Sequence, residues 1–155
     1  MAHKTEAARE AKESGEVDGR VATTNILFVC IGNACRSPMA EGFASKLGEG
    51  RVRAWSAGLC PLGWIESNTR LVMEEIGIRL DGQASKGLGD VPFDQMDIVV
   101  TMGSEVLIDL PEVGGSRLVN WEIPDPVGAD LDTYRVVRDL IEVKVRNLLA
   151  DLARE

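Results

Sequence analysis

Histidine is nearly missing from this sequence of 155 residues, which contains one, His3. This argues against a cysteine–histidine protease and a histidine-rich metal site, and we expect no metal and no cofactor. The three cysteines are an odd number without repeated spacing, so they predict no disulfide framework. No apolar run approaches the roughly 20 residues of a membrane-spanning helix, and residues 1–24 lack the apolar segment of a signal peptide. We expect a cytoplasmic protein that does not bind membranes.

Positive charge is also scarce. Lysine and arginine number 17 against 25 aspartates and glutamates, which gives a net charge of −8. Such a chain repels nucleic acid and anionic membranes, so any anion site must be built locally. The length suits one domain over residues 24–155, and we expect a monomer. Residues 1–23 have no apolar face, and we expect them to form a disordered or weakly helical extension.

One stretch combines a strand signal with reactive chemistry. Residues 25–38 read NILFVCIGNACRSP, an apolar run that ends in Cys30, then a short loop, then a helix start at Ser37. A loop in this setting turns backbone N–H groups and the positive end of the helix toward an anion. Arg36 would clamp two oxygens of that anion while the Cys30 thiolate faces it. The pattern predicts attack of sulfur on a tetrahedral oxyanion such as a phosphoryl group.

The rest of the chain alternates strand and helix signals. Apolar runs predict strands over residues 25–30, 52–57, 97–102 and 117–121. Apolar positions at helical spacing predict helices over residues 37–47, 67–76 and 132–153. Such alternation implies right-handed crossovers and a parallel sheet with helices on both faces. We therefore predict a single α/β domain.

The run CIGNACRSP, followed by MAE, resembles the low-molecular-weight protein-tyrosine-phosphatase family and its relatives, the thioredoxin-type arsenate reductases. The resemblance covers roughly residues 24–153 and implies a four-stranded, doubly wound parallel sheet. It also implies that Cys30 is the nucleophile and that Arg36 binds the oxyanion. The other loop residues expected to hold the substrate are Ile31, Gly32, Asn33, Ala34, Cys35 and Ser37.

The resemblance implies roles outside the loop as well. Asp125 lies between two prolines in IPDPVG, and the family's Asp-Pro pair supplies the proton to the leaving group. A turn aspartate without a catalytic role is the alternative. Ser56 would hold Asn33 in an unusual backbone conformation. Trp64 falls where the family lines its substrate pocket, and an aromatic ring there favours phenyl phosphates, although ordinary packing explains this residue equally well.

The sequence matches neither branch of the family completely. Val127 and Gly128 stand where the phosphatases usually carry a tyrosine pair, whereas Trp121 and the run YRVVRD at 134–139 are closer to the reductases. Those reductases need shuttle cysteines after the third strand. Residues 102–110 contain none, and Ser104 stands about where the first is expected.

Three functions stay open, and hydrolysis is favoured because it needs only water. A phosphatase would act on phosphotyrosyl protein or aryl phosphate through a phosphocysteine. An arsenate reductase, acting on the small oxyanion, would need Cys35, Cys60 or an external thiol reductant to resolve Cys30. A phosphopeptide-binding module is least favoured because Cys30, Arg36 and Asp125 occur together. We also predict that Cys35 protects Cys30 by forming a disulfide after oxidation; the alternative is a small apolar filler beneath the loop.

Overall fold

The computed structural model describes residues 16–17, 20–21 and 23–155. The extension predicted over residues 1–23 lies mostly outside these residues, and within it Glu16–Val17 pairs antiparallel with Arg20–Val21. A four-stranded sheet forms the centre of the remaining chain. Its strands are β1 (Thr24–Cys30), β2 (Val52–Gly58), β3 (Ile98–Thr101) and β4 (Arg117–Asn120). All pair in parallel in the order β2-β1-β3-β4, which confirms the predicted doubly wound α/β fold.

The apolar run before the loop explains why β1 lies inside the sheet. Its last five residues are all buried, as expected for a strand covered on both faces. β2 pairs on one side, with Gly58 opposite Cys30, and β3 pairs on the other, with Thr101 opposite Val29. The chain therefore leaves β1 toward one neighbour and later returns on the other side. The carboxyl end of β1 is the point where the strand order reverses, which is where open α/β sheets bind ligands.

Helices cover both faces of the sheet unequally. The helices are α1 (Arg36–Leu47), α2 (Ser67–Glu74), α3 (Ser104–Asp109) and α4 (Leu131–Ala153). α1, α2 and α4 share the larger core with Phe28 of β1, whereas α3 packs through Val106 on the other face with Val99 of β3. Two single-turn 3₁₀ helices, Leu88–Asp90 and Phe93–Gln95, lie between α2 and β3. Among the described residues, every helix is too short or too polar to span a lipid bilayer.

Candidate active site

Cys30 ends β1 and faces the hydrogen-bonding side chain of Ser37. The two atoms, Cys30 Sγ and Ser37 Oγ, are 2.9 Å apart, and both residues are buried. Asn33 Nδ2 donates to the same Ser37 oxygen over 2.8 Å, so the Ser37 hydroxyl hydrogen is free to point at the sulfur. A thiolate is an acceptor without a proton of its own. The Ser37 hydroxyl is therefore placed to donate a hydrogen bond to the Cys30 sulfur.

Asn33 holds the shape of the loop. It is the one non-glycine residue with positive φ among the described residues, at 48°, and it is fully buried. Its Nδ2 also donates to Ser56 Oγ over 3.0 Å, and its Oδ1 accepts from the Lys86 amide over 2.9 Å. The contact with Ser56 is the one that the family resemblance implies. The side-chain bonds to two neighbouring segments offset the cost of left-handed backbone at this position.

Glu41 completes this network and was not predicted from the sequence. Ser56 Oγ donates to Glu41 Oε1 over 2.5 Å, and Lys86 Nζ lies 3.9 Å from the same carboxylate oxygen. Burial raises the pKa of Glu41, while the Ser56 hydrogen bond and the Lys86 charge oppose the rise. Glu41 belongs to the MAE that follows the loop motif, which is the signal that could have identified it.

The segment after β2 turns the loop carbonyls away from the anion site. Backbone amides of residues 59–66 donate to the carbonyl oxygens of Cys30, Ile31, Gly32 and Ala34. Gly58 permits this approach, because a Cβ there would lie 2.6 Å from the Ile31 carbonyl oxygen. Among residues 23–155 the amides of Gly32, Asn33 and Ala34 donate no hydrogen bond to a backbone carbonyl. These N–H groups are available to a bound oxyanion.

Arg36 is buried at the end of the loop and contacts two segments, the one that follows β3 and the one that follows β4. Its NH1 donates to the Met102 carbonyl over 2.6 Å, to the Ile123 carbonyl over 2.9 Å and to Glu105 Oε1 over 2.8 Å. Its NH2 lies 3.6 Å from Asp125 Oδ2. One terminal nitrogen thus anchors the guanidinium, which leaves the other nitrogens to meet an anion. Glu105 was not predicted, because its link to Arg36 spans 69 residues.

A cavity of about 370 Å³ opens beside Arg36. It is lined by Ile31, Arg36, Glu105, Glu122, Ile123, Pro124 and Asp125. The carboxylate of Asp125 is partly exposed, and its Oδ1 accepts from the Val127 amide over 3.1 Å. Asp125 therefore reaches both the cavity and Arg36, as a proton donor to a leaving group would have to.

The remaining predicted residues lie elsewhere around the loop. Trp64 follows β2 and is not among the residues that line this cavity; its ring is exposed and its Nε1 donates to Glu66 Oε1 over 3.2 Å. Its role in substrate binding stays a prediction. Cys60 is exposed, and its amide donates to the Ile31 carbonyl over 2.8 Å. Within the described residues, no group of three or more histidine, cysteine, aspartate or glutamate side chains could hold a metal ion.

Cys35 lies beneath the loop with a partner of its own. Its sulfur is buried and donates to the Tyr134 hydroxyl, with Sγ and OH 3.7 Å apart. Burial raises the pKa of the Cys35 thiol to about 11, although hydrogen bonds with Thr69 and Tyr134 oppose the rise. A thiol that stays protonated at neutral pH is a poor nucleophile. These contacts favour the filler interpretation of Cys35, and its role as a resolving thiol stays an untested prediction.

Fold and site together define an α/β protein with an anion loop of the cysteine-dependent phosphatase type. The sequence model of the family described as low molecular weight phosphotyrosine protein phosphatase matches residues 25–155, and the chain belongs to this family. That assignment confirms the resemblance carried by CIGNACRSP and MAE.

Individual relatives fall in both branches of the family. The chain is 35% identical over 129 residues to a glutaredoxin arsenate reductase of Synechocystis sp., covering 83% of this chain and 98% of that protein. It is 31% identical to the low molecular weight protein-tyrosine-phosphatase YfkJ of Bacillus subtilis, covering 84% and 97%. A solved structure described as an arsenate reductase in the phosphate binding state superposes with a TM-score of 0.76 at 35% identity, covering 83% and 98%.

Proposed function

We propose that this protein is a cysteine-dependent phosphatase that hydrolyses phosphotyrosine or aryl phosphate monoesters through a phosphocysteine intermediate. One observation carries the proposal: buried Arg36, at the end of the Cys30 loop, lies 3.6 Å from Asp125 beside a cavity. Nucleophile loop, oxyanion clamp and candidate acid are thus in one place. No further protein group is needed for hydrolysis.

The chemistry has two steps. In the first, the Cys30 thiolate attacks phosphorus, the bond from phosphorus to the aryl oxygen breaks, and Asp125 gives its proton to the departing oxygen. The loop amides and Arg36 hold the non-bridging oxygens, whose charge they stabilise through the transition state. In the second step, Asp125 takes a proton from water, the water oxygen attacks phosphorus, and the bond from sulfur to phosphorus breaks. Inorganic phosphate leaves and the thiolate is restored.

Arsenate reduction is the second candidate, and the names of several relatives, among them the Synechocystis protein, favour it. Its obstacle is the supply of thiols. Residues 102–110 contain no cysteine, and the Ser104 hydroxyl donates a hydrogen bond to the Glu122 carboxylate. Cys35 is buried and bonded to Tyr134, so the exposed Cys60 or an external thiol would have to resolve an arsenylated Cys30. The phosphopeptide-binding module remains the least favoured hypothesis, because a protein that only binds a phosphopeptide does not require a proton donor at Asp125.

Parallel assays of phosphotyrosyl peptide hydrolysis and thiol-dependent arsenate reduction test the proposal. We expect hydrolysis by the parent protein, abolished in Cys30→Ser while vanadate still binds. Arg36→Lys should lose both turnover and binding, because the bidentate geometry disappears although the charge remains. Cys60→Ser is the matched control and should hydrolyse normally. Turnover of phosphotyrosine by Cys30→Ser would overturn the assignment, and arsenate reduction without hydrolysis would establish the second candidate.

A further inference from the structure

The cavity beside Arg36, at the end of the Cys30 loop, has an acidic lining. Three of its lining residues, Glu105, Glu122 and Asp125, are carboxylates, and Arg36 is the single cation among the described residues that line it. Its apolar wall is formed by Ile31, Ile123 and Pro124, without an aromatic ring from the described residues. The acidic lining and the lack of an aromatic ring among these lining residues together indicate that the cavity selects substrates by their charge.

Among the three carboxylates of this lining, Glu122 is the one without a cationic partner in the described part of the chain. Glu105 pairs with Arg36 over 2.8 Å, so the one cation is already compensated. Glu122 accepts hydrogen bonds from neutral groups, namely the hydroxyl and amide of Ser104 and the Asn120 side chain. These bonds, with that of the Ser104 hydroxyl foremost, lower the pKa of Glu122, so its carboxylate is ionised at neutral pH. With a thiolate at Cys30 and a phosphoryl group bound, the site carries excess negative charge.

A cation on the substrate itself would relieve this excess. We propose that the preferred substrates are phosphotyrosyl segments flanked by arginine or lysine, whose positive side chains lie against Glu122 while the phosphoryl group enters the Cys30 loop. The proposal rests on the proposed phosphatase function and specifies its substrate class. Acidic flanking residues are repelled, and a bare oxyanion gains nothing from this wall of the cavity.

The test compares two phosphotyrosyl peptides that are identical except for arginine or glutamate on each side of the phosphotyrosine. At low salt we expect kcat/KM to be about threefold higher, or more, for the basic peptide, as is typical of partly exposed charge pairs. The ratio should shrink as salt rises. Glu122→Gln should lower the ratio at least by about half, because glutamine keeps an acceptor for Ser104 but loses the charge.

Glu49→Gln is the matched control. It removes the same charge from an exposed residue in the turn between α1 and β2. This turn lies at the amino-terminal end of the strands, whereas Cys30 lies at their carboxyl end. Equal turnover of both peptides, a preference for the acidic one, or an equal fall of the ratio in both variants would overturn the proposal. If no peptide is hydrolysed, the phosphatase function fails instead. The affinity of the Cys30→Ser protein for the two peptides then decides this inference, and equal or absent binding refutes it.

Discussion

Gly103 lets the Glu105 carboxylate reach Arg36. The φ angle of Gly103 is 143°, and a Cβ at this position would overlap the Glu105 carboxylate. No other residue type fits there without moving Glu105. The contact of Glu105 with Arg36 NH1 therefore requires a residue without a Cβ at position 103.

We expect Gly103→Ala to lower phosphatase kcat/KM on the order of tenfold, because Arg36 loses the carboxylate that orients its fork. Strain at this φ should also lower stability, by about 1 kcal/mol. Gly82→Ala is the control, since a Cβ at Gly82 meets no atom within 4 Å. In a double-mutant cycle, Gly103→Ala should cost little further activity once Glu105→Ala is present. Full additivity would show that the two residues act independently.

The role of Asp125 as the proton donor can be tested by varying the leaving group of the substrate. Asp125→Ala should slow hydrolysis of an alkyl or unsubstituted phenyl phosphate on the order of a hundredfold, because these leaving groups need a proton. A nitrophenyl phosphate should lose far less, since its phenolate departs without one. The ratio of the two rates serves as the internal control for any change in binding through Arg36, 3.6 Å away. Equal losses on both substrates would make Asp125 a structural residue of the turn.

The predictability of elements follows from the range of the interactions that form them. β1 was predicted within one residue, since its apolar run and the loop after it are local signals. α3 was missed because six residues, Ser104–Asp109, are too few to display a helical period. Glu41 and Glu105 were not predicted for another reason: each contacts a residue that is distant in the sequence, Ser56 and Arg36 respectively. The cavity forms on the β3 and β4 side of the loop, which a pattern along one strand cannot reveal.

Glu75 joins α2 to α4. It accepts from Arg135 NH2 over 2.7 Å and from Arg138 NH1 over 2.8 Å, and buried Arg138 also donates to the Val72 carbonyl. These arginines, with the Arg135 hydrogen bond foremost, lower the pKa of Glu75 below its ordinary 4.5. A carboxylate with a lowered pKa stabilises the folded state above that ordinary value, and this stabilisation is lost as the pH falls below it.

We therefore expect Glu75→Gln to lower the melting temperature at pH 7 by about 2 °C or more, and the difference from the parent to shrink as the pH is lowered below about 4. Glu74→Gln provides the control, since this exposed neighbour makes no ion pair or hydrogen bond through its side chain in the described part of the chain. A difference that stays constant with pH would show that the glutamate contributes through packing and not through its charge.

In the whole molecule, the four-stranded sheet positions the candidate site. Its central strand β1 makes hydrogen bonds to other parts of the chain from its first residue onward. The Thr24 amide donates to the Arg51 carbonyl over 3.0 Å, and the Asn25 amide donates to Asp97 Oδ2 over 2.7 Å. The start of β1 is thus fixed by residues that follow it in sequence. All candidate site residues and all four strands lie within residues 24–155, and the family match covers residues 25–155.

We accordingly expect a chain without residues 1–23 to keep its melting temperature and phosphotyrosyl peptide hydrolysis within experimental error of the full chain. The matched control removes residues 1–25 and so deletes the hydrogen bonds of Thr24 and Asn25 to Arg51 and Asp97. Because those bonds fix the central strand that ends in Cys30, the longer deletion should lower the melting temperature by about 2 °C or more. An equal drop in both truncated chains would show that residues before Thr24 support the domain, contrary to this expectation.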